Sequence, residues 1–158
     1  MPNYNLCCNC GCFYAVKSKY PPPYFPPTEI DDNAVPLGDG KDEKMTSSAG
    51  GGAVSMTYSD KVEILLASNQ ANIDFQNPSK STSNMVLQLY VVSGGQEVMI
   101  AESGLLPPGV KLEKMNLLGT AGLSLGNYNG KFKVLYYNPE TGEKAIVNTE
   151  APVKMTVA

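Results

Sequence analysis

The sequence predicts an all-β protein, an antiparallel sandwich of seven to nine short strands preceded by a disordered N-terminal tail. Three observations lead there. Apolar and polar residues alternate with a period of two in several separate runs. Clusters of Gly, Pro, Asn and Ser part those runs at intervals usual for a sandwich. Only Leu117–Leu125 has helical character, and three glycines (counting Gly126) weaken it, so a helix there is expected to be short or absent.

In order, strands are expected near residues 53–58, 60–67, 71–76, 84–92, 97–103, 110–117, 130–138 and 143–157. Ala71, Ile73 and Phe75 give the third an apolar face against Asn72, Asp74 and Gln76. Met85, Leu87, Leu89 and Val91 do the same for the fourth, with Val86, Gln88, Tyr90 and Val92 behind them. Phe132, Val134 and Tyr136 alternate with Lys131, Lys133 and Leu135. Val153, Met155 and Val157 alternate with Lys154 and Thr156, in a last strand expected to bend or break around Pro152.

Turn signals fall at Gln76–Asn84, Ser93–Gln96, Leu106–Gly109 and Asn138–Gly142. The last, N-P-E-T-G, suits a type I turn ending in a left-handed residue, which makes Phe132–Tyr137 and Glu143–Asn148 a hairpin. Adjacent Tyr136 and Tyr137 point to opposite faces. Tyr137 and Leu135 are therefore expected in an exposed apolar strip suited to a partner or a dimer contact.

Ahead of residue 53 the texture changes. Residues 1–27 are a Cys/Pro-rich segment ending in Y-P-P-P-Y-F-P-P, which favours extended polyproline II over helix or sheet. Residues 28–52 are acidic and then Gly/Ser-rich, and read as a linker or stalk. The carboxylates Glu29, Asp31, Asp32, Asp39, Asp42 and Glu43 lack EF-hand spacing, so a solvated spacer is expected over a calcium site. The β-sandwich domain is placed at residues 53–158.

Composition excludes much chemistry. The chain has 158 residues, 15 acidic and 12 basic, for a net charge of −3, so no basic field for nucleic acid is expected. Every basic residue is Lys, and His and Trp are absent. Without His there is no Ser-His-Asp or Cys-His arrangement and no imidazole acid or base. No catalytic residue and no cofactor stand out, and an enzyme is not expected.

L-S-L-G-N-Y-N-G-K-F-K-V (Leu123 to Val134) sets Tyr128 just before a core strand. In immunoglobulin-like sandwiches such a Tyr braces the crossing between two strands, its hydroxyl bonding to upstream backbone. Tyr128 is therefore assigned a structural role, and the sandwich is expected to be immunoglobulin-like.

The blocks D-D-N-A-V-P-L-G-D-G-K-D-E-K, G-G-G-A-V-S-M-T-Y-S, F-Q-N-P-S-K-S, M-V-L-Q-L, E-S-G-L-L-P-P-G and Y-Y-N-P-E-T-G-E-K-A-I-V-N-T-E span roughly residues 27–158. Together they resemble a group of small membrane-anchored surface proteins of gut Firmicutes. That resemblance implies a hydrophobic anchor, an acidic stalk and one extracytoplasmic immunoglobulin-like domain, with no catalytic residue to carry over. Where the group has its anchor, this sequence has M-P-N-Y-N-L-C-C-N-C-G-C-F-Y, with no apolar run near the roughly 20 residues of a span and no signal-peptide pattern.

That stretch holds all four cysteines: Cys7, Cys8, Cys10 and Cys12. Four readings stay open. Bunched thiolates suit Zn²⁺ or Cu(I), although four within six residues close a tetrahedron with difficulty. Disulfides would close very small loops. Lipidation lacks a hydrophobic region before Cys7. The bland reading is favoured, in which residues 1–27 are a mis-assigned start or frame over a lost anchor.

The functional expectation is a non-enzymatic, surface-displayed module, extracellular or at a bacterial cell surface, in contact with a protein, cell-wall or glycan partner. The alternative is a thiolate metal-binding protein using Cys7, Cys8, Cys10 and Cys12.

Overall fold

The computed structural model describes residues 27–38, 56–119 and 122–158. Within them the alternating runs become strands, and the faces expected to be buried form the core. The strands are β1 (Ala34–Pro36), β2 (Thr57–Tyr58), β3 (Lys61–Leu65), β4 (Gln70–Asn77), β5 (Asn84–Ser93), β6 (Gln96–Glu102), β7 (Val110–Asn116), β8 (Gly126–Tyr137) and β9 (Thr149–Val157). No helix occurs among the described residues, Leu117–Gly119 and Gly122–Leu125 included. The protein is all-β.

The strand order is β1-β7-β4-β3-β9-β8-β5-β6, with β2 also paired to β4. β3 is the join. It runs antiparallel to β4 through Glu63–Leu65 and parallel to β9 through Lys61–Ile64. One strand thus serves both halves, and the nine strands make one curled, mixed sheet in place of an antiparallel one throughout. Alternation specifies which face each residue takes, but not the direction of a neighbour brought in from the far end of the chain.

The curl brings the inner faces together. Phe132 of β8 meets Phe75 of β4 and Tyr58 of β2 edge-on, with ring centroids 6.5 and 6.2 Å apart. Around them pack Val62, Ile64, Ala71, Ile73, Leu87, Leu89, Leu112, Met115, Val134, Val153, Met155 and Val157, all buried. At one corner the flanks touch: the Leu118 N–H donates to the Ile100 carbonyl at 2.8 Å, beside an Ala101–Leu117 bridge.

The turns follow their residues. Gly94 and Gly95, both at positive φ (59° and 77°), close β5 onto β6 as a two-residue hairpin. Gly142 takes φ 73° at the end of the N-P-E-T-G turn, where Asn138 Oδ1 accepts from the Glu140 and Thr141 N–H groups. Pro152 does not break β9. The Lys154 N–H points to the Asp60 carbonyl at 2.7 Å, so Pro152, two residues earlier, turns its missing donor to the same side, before the ladder with β3 begins at Lys154.

Three features differ from the sequence expectation. Glu29 to Leu37, read as the start of a linker, lies along the sheet. Asp31 N–H donates to the Leu105 carbonyl, Leu105 N–H to the Glu29 carbonyl, and β1 pairs with β7. The Asp31 carboxylate accepts from the N–H groups of Gly104 (2.7 Å) and Asn33 (2.8 Å). An acidic, Pro-containing run carries no period, yet backbone bonds and one carboxylate suffice to hold it as an edge strap.

The strap accounts for the second difference. Tyr137 and Leu135, expected in an exposed strip, are buried at 1% and 4% exposure with Val86, under Leu105. Leu105 is the residue the strap pins.

The third lies after Gly142, where a strand over 143–148 was expected. Ala145 N–H still bonds the Tyr136 carbonyl, but the next ladder pair is Val134 with Thr149. β8 advances two residues while the returning chain advances four, so Ile146 and Val147 bulge out. They are 98% and 71% exposed.

Candidate functional site

The outer surface of β4-β3-β9-β8 carries the candidate site. Alternation sends Lys61 and Glu63 outward from β3, Asn72 and Asp74 from β4, Asn127 and Asn129 from β8, and Lys154 and Thr156 from β9. With Ser59, these side chains line an open cleft of about 880 Å³, and Val62, Ile73, Tyr128 and Met155, whose side chains turn to the core, complete its lining. That is the volume range of small-ligand sites, on a scaffold of strands rather than loops.

Register sorts the polar groups into two rows. In the first, Asn72, Glu63, Thr156 and Asn127 lie side by side across four strands. This row is tied at both ends: Asn72 Nδ2 donates to Glu63 Oε2 at 3.0 Å and the Thr156 hydroxyl to Asn127 Oδ1 at 3.1 Å. The second row is Lys61, Lys154 and Asn129. Lys61 and Lys154 are direct register partners, both exposed, and among the described residues neither ammonium has a hydrogen-bond or ion-pair partner. Like charges set directly opposite each other are unfavourable in a sheet.

The neighbouring outer face shows the contrast. There Lys131 lies between Glu97 (2.6 Å) and Glu150 (3.2 Å), with its Nζ 5.7 Å from the Tyr90 ring centroid. The Glu97 bond foremost, and Glu150 with it, raise the Lys131 pKa. Burial first, and then the Glu102 charge, push the Tyr90 phenol up. That face is internally satisfied, while the second row of the cleft is not.

Tyr128 donates its hydroxyl to the Ser124 carbonyl and accepts from the Ser124 N–H, both at 3.1 Å. This closes the turn leading into β8, with Tyr128 turned to the core side opposite Met155 and Asn127 and Asn129 turned outward into the cleft. Cys7, Cys8, Cys10 and Cys12 lie outside the described residues. Among the described residues, no group of three His, Cys, Asp or Glu side chains is placed to hold a metal ion.

Sequence reasoning missed Lys61 and Lys154. Alternation in K-V-E and V-K-M-T turns each one outward, but their adjacency exists only through the parallel β3–β9 ladder. It also missed Ile146 and Val147, whose loop is held by Lys144 Nζ bonding the Ala145 carbonyl (3.0 Å) and Asn148 Oδ1 (2.8 Å).

No family model matches the chain, and no curated protein matches it. Among solved structures it is similar to the YadV chaperone, at 14% identity and a TM-score of 0.34. The match covers 65% of this chain and 50% of that one, so the chain spans about half the length of that structure. At that score the likeness carries no argument about this chain.

Proposed function

We propose that the protein is a non-enzymatic interaction module of immunoglobulin-like build, displayed outside the cytoplasm at a bacterial cell surface, which binds a protein, cell-wall or glycan partner. The observation that carries this reading is the open, polar cleft on β4-β3-β9-β8, whose side chains are set by sheet register. The immunoglobulin-like part is supported by β3 passing between β4 and β9 and by the Tyr128 brace. The surface location is supported by the resemblance of residues 27–158 to anchored surface proteins. A rigid strand scaffold that presents amides, hydroxyls and charges to solvent suits recognition without bond-making.

The test presents the full chain to immobilised cell walls, glycans and surface proteins. Alongside it run Thr156→Trp, which fills the cleft with a residue that strands accept, and Val147→Ser in the exposed loop. Binding retained by Val147→Ser and weakened at least tenfold by Thr156→Trp is the expected result. Loss in Val147→Ser alone moves the site to the loop and contradicts the proposal.

A further inference from the structure

Resting on that reading of the cleft, we infer that its ligand is a polyhydroxylated molecule bearing an oxyanion, and that Lys61 and Lys154 hold the oxyanion between them. Two observations meet here. The first is the cross-strand ammonium pair itself, aligned in register, exposed, and without a partner among the described residues. An oxyanion between two ammonium groups removes their mutual repulsion and adds charge-assisted hydrogen bonds.

The second is what surrounds the pair. Asn129 sits beside Lys154 in register, and Asp74, exposed on β4, lines the same cleft as Lys61. No hydrogen bond ties the Asp74 carboxylate to another described residue, so it is open to accept from hydroxyl groups. Amides donate and accept, the carboxylate accepts, and the ammonium groups donate. That set matches a ring or chain of hydroxyls ending in a negative group. The cleft, at about 880 Å³, has room for a ligand of a few sugar units. The shared chemistry covers a carboxylated sugar and a phosphate-bearing polyol alike.

The test is calorimetric titration of the full chain and of the double variant Lys61→Gln/Lys154→Gln with three probes. These are trigalacturonate for the carboxylate, a glycerol phosphate oligomer for the phosphate, and neutral maltotriose. The double variant replaces two exposed ammonium groups with neutral amides, and an unchanged or higher melting temperature confirms that it folds.

The expected result is binding of an anionic probe, weakened at least tenfold in the variant and by raising salt to about 0.5 M, since exposed charge pairs are screened. The stronger of the two anionic probes then names the source. Equal affinity of the variant for the anionic probe overturns the inference, as does binding of maltotriose alone, and both leave the cleft as a site. Silence from all three probes overturns the inference too. Coupled with Thr156→Trp having no effect on any immobilised partner, that silence overturns the broader reading with it.

Discussion

At the scale of single residues, Gly130 shows how closely two strands of the core approach. A methyl group at this position would lie 2.8 Å from the Tyr90 carbonyl oxygen, which cannot move without breaking the β5–β8 ladder, and would overlap the Met155 sulfur. Gly130→Ala is therefore expected to destabilise the protein by about 1–3 kcal/mol through overpacking, read as a lower urea midpoint at unchanged slope. Tyr128 acts through its hydroxyl alone at the Ser124 turn. Tyr128→Phe keeps the ring and should cost about 0.5–1.5 kcal/mol, with faster amide exchange at Ser124 as its local signature. An unchanged exchange rate there would show that the hydroxyl does not brace the turn.

At the scale of elements, the strap from Glu29 to Leu37 depends on Asp31, whose carboxylate takes the Gly104 and Asn33 N–H groups while its own N–H bonds Leu105. Asp31→Ala should loosen this edge selectively. Hydrogen exchange would quicken at Gly104, Leu105 and β1, and the long central strands β5 and β8 would keep their protection. Uniform loss across all strands would contradict a local role.

The same elements mark how far the sequence is legible. Runs with a clear period of two, such as Ala71–Phe75 and Val153–Val157, predict both strand and buried face, because a half-buried strand imposes that period. The strap has no period to read, since its bonds are made by backbone and one carboxylate. Tyr137 illustrates the consequence: its outward orientation is legible, but its cover by Leu105 is not. The cleft is equally hidden. Outward-facing polar residues are visible on each strand, while the Lys61–Lys154 pairing is a property of the β3–β9 register.

At the scale of the whole molecule, three groups whose pKa is raised on folding point to one behaviour at high pH. Tyr136, whose hydroxyl bonds Thr149 at 2.6 Å, is pushed up by burial, as is Tyr90, and Lys131 is raised by its carboxylate partners. Each holds its proton more tightly folded than unfolded. Each contribution is therefore complete below the ordinary values, 10.0 for tyrosine and 10.5 for lysine, and is lost as pH rises through the folded value. The melting temperature should fall as pH climbs beyond about 10, and Tyr136→Phe should flatten that fall even if it lowers the starting point. A fall equally steep in the variant would remove Tyr136 from the account. The cleft is where the molecule is proposed to meet its partner. The most direct test is a ¹H–¹⁵N correlation spectrum of the full chain titrated with trigalacturonate and with the glycerol phosphate oligomer. Shifts are expected to concentrate at Lys61, Asp74, Asn129, Lys154 and Thr156. Shifts confined to Ile146, Val147 and their neighbours, or none in the cleft with either probe, would contradict that placement.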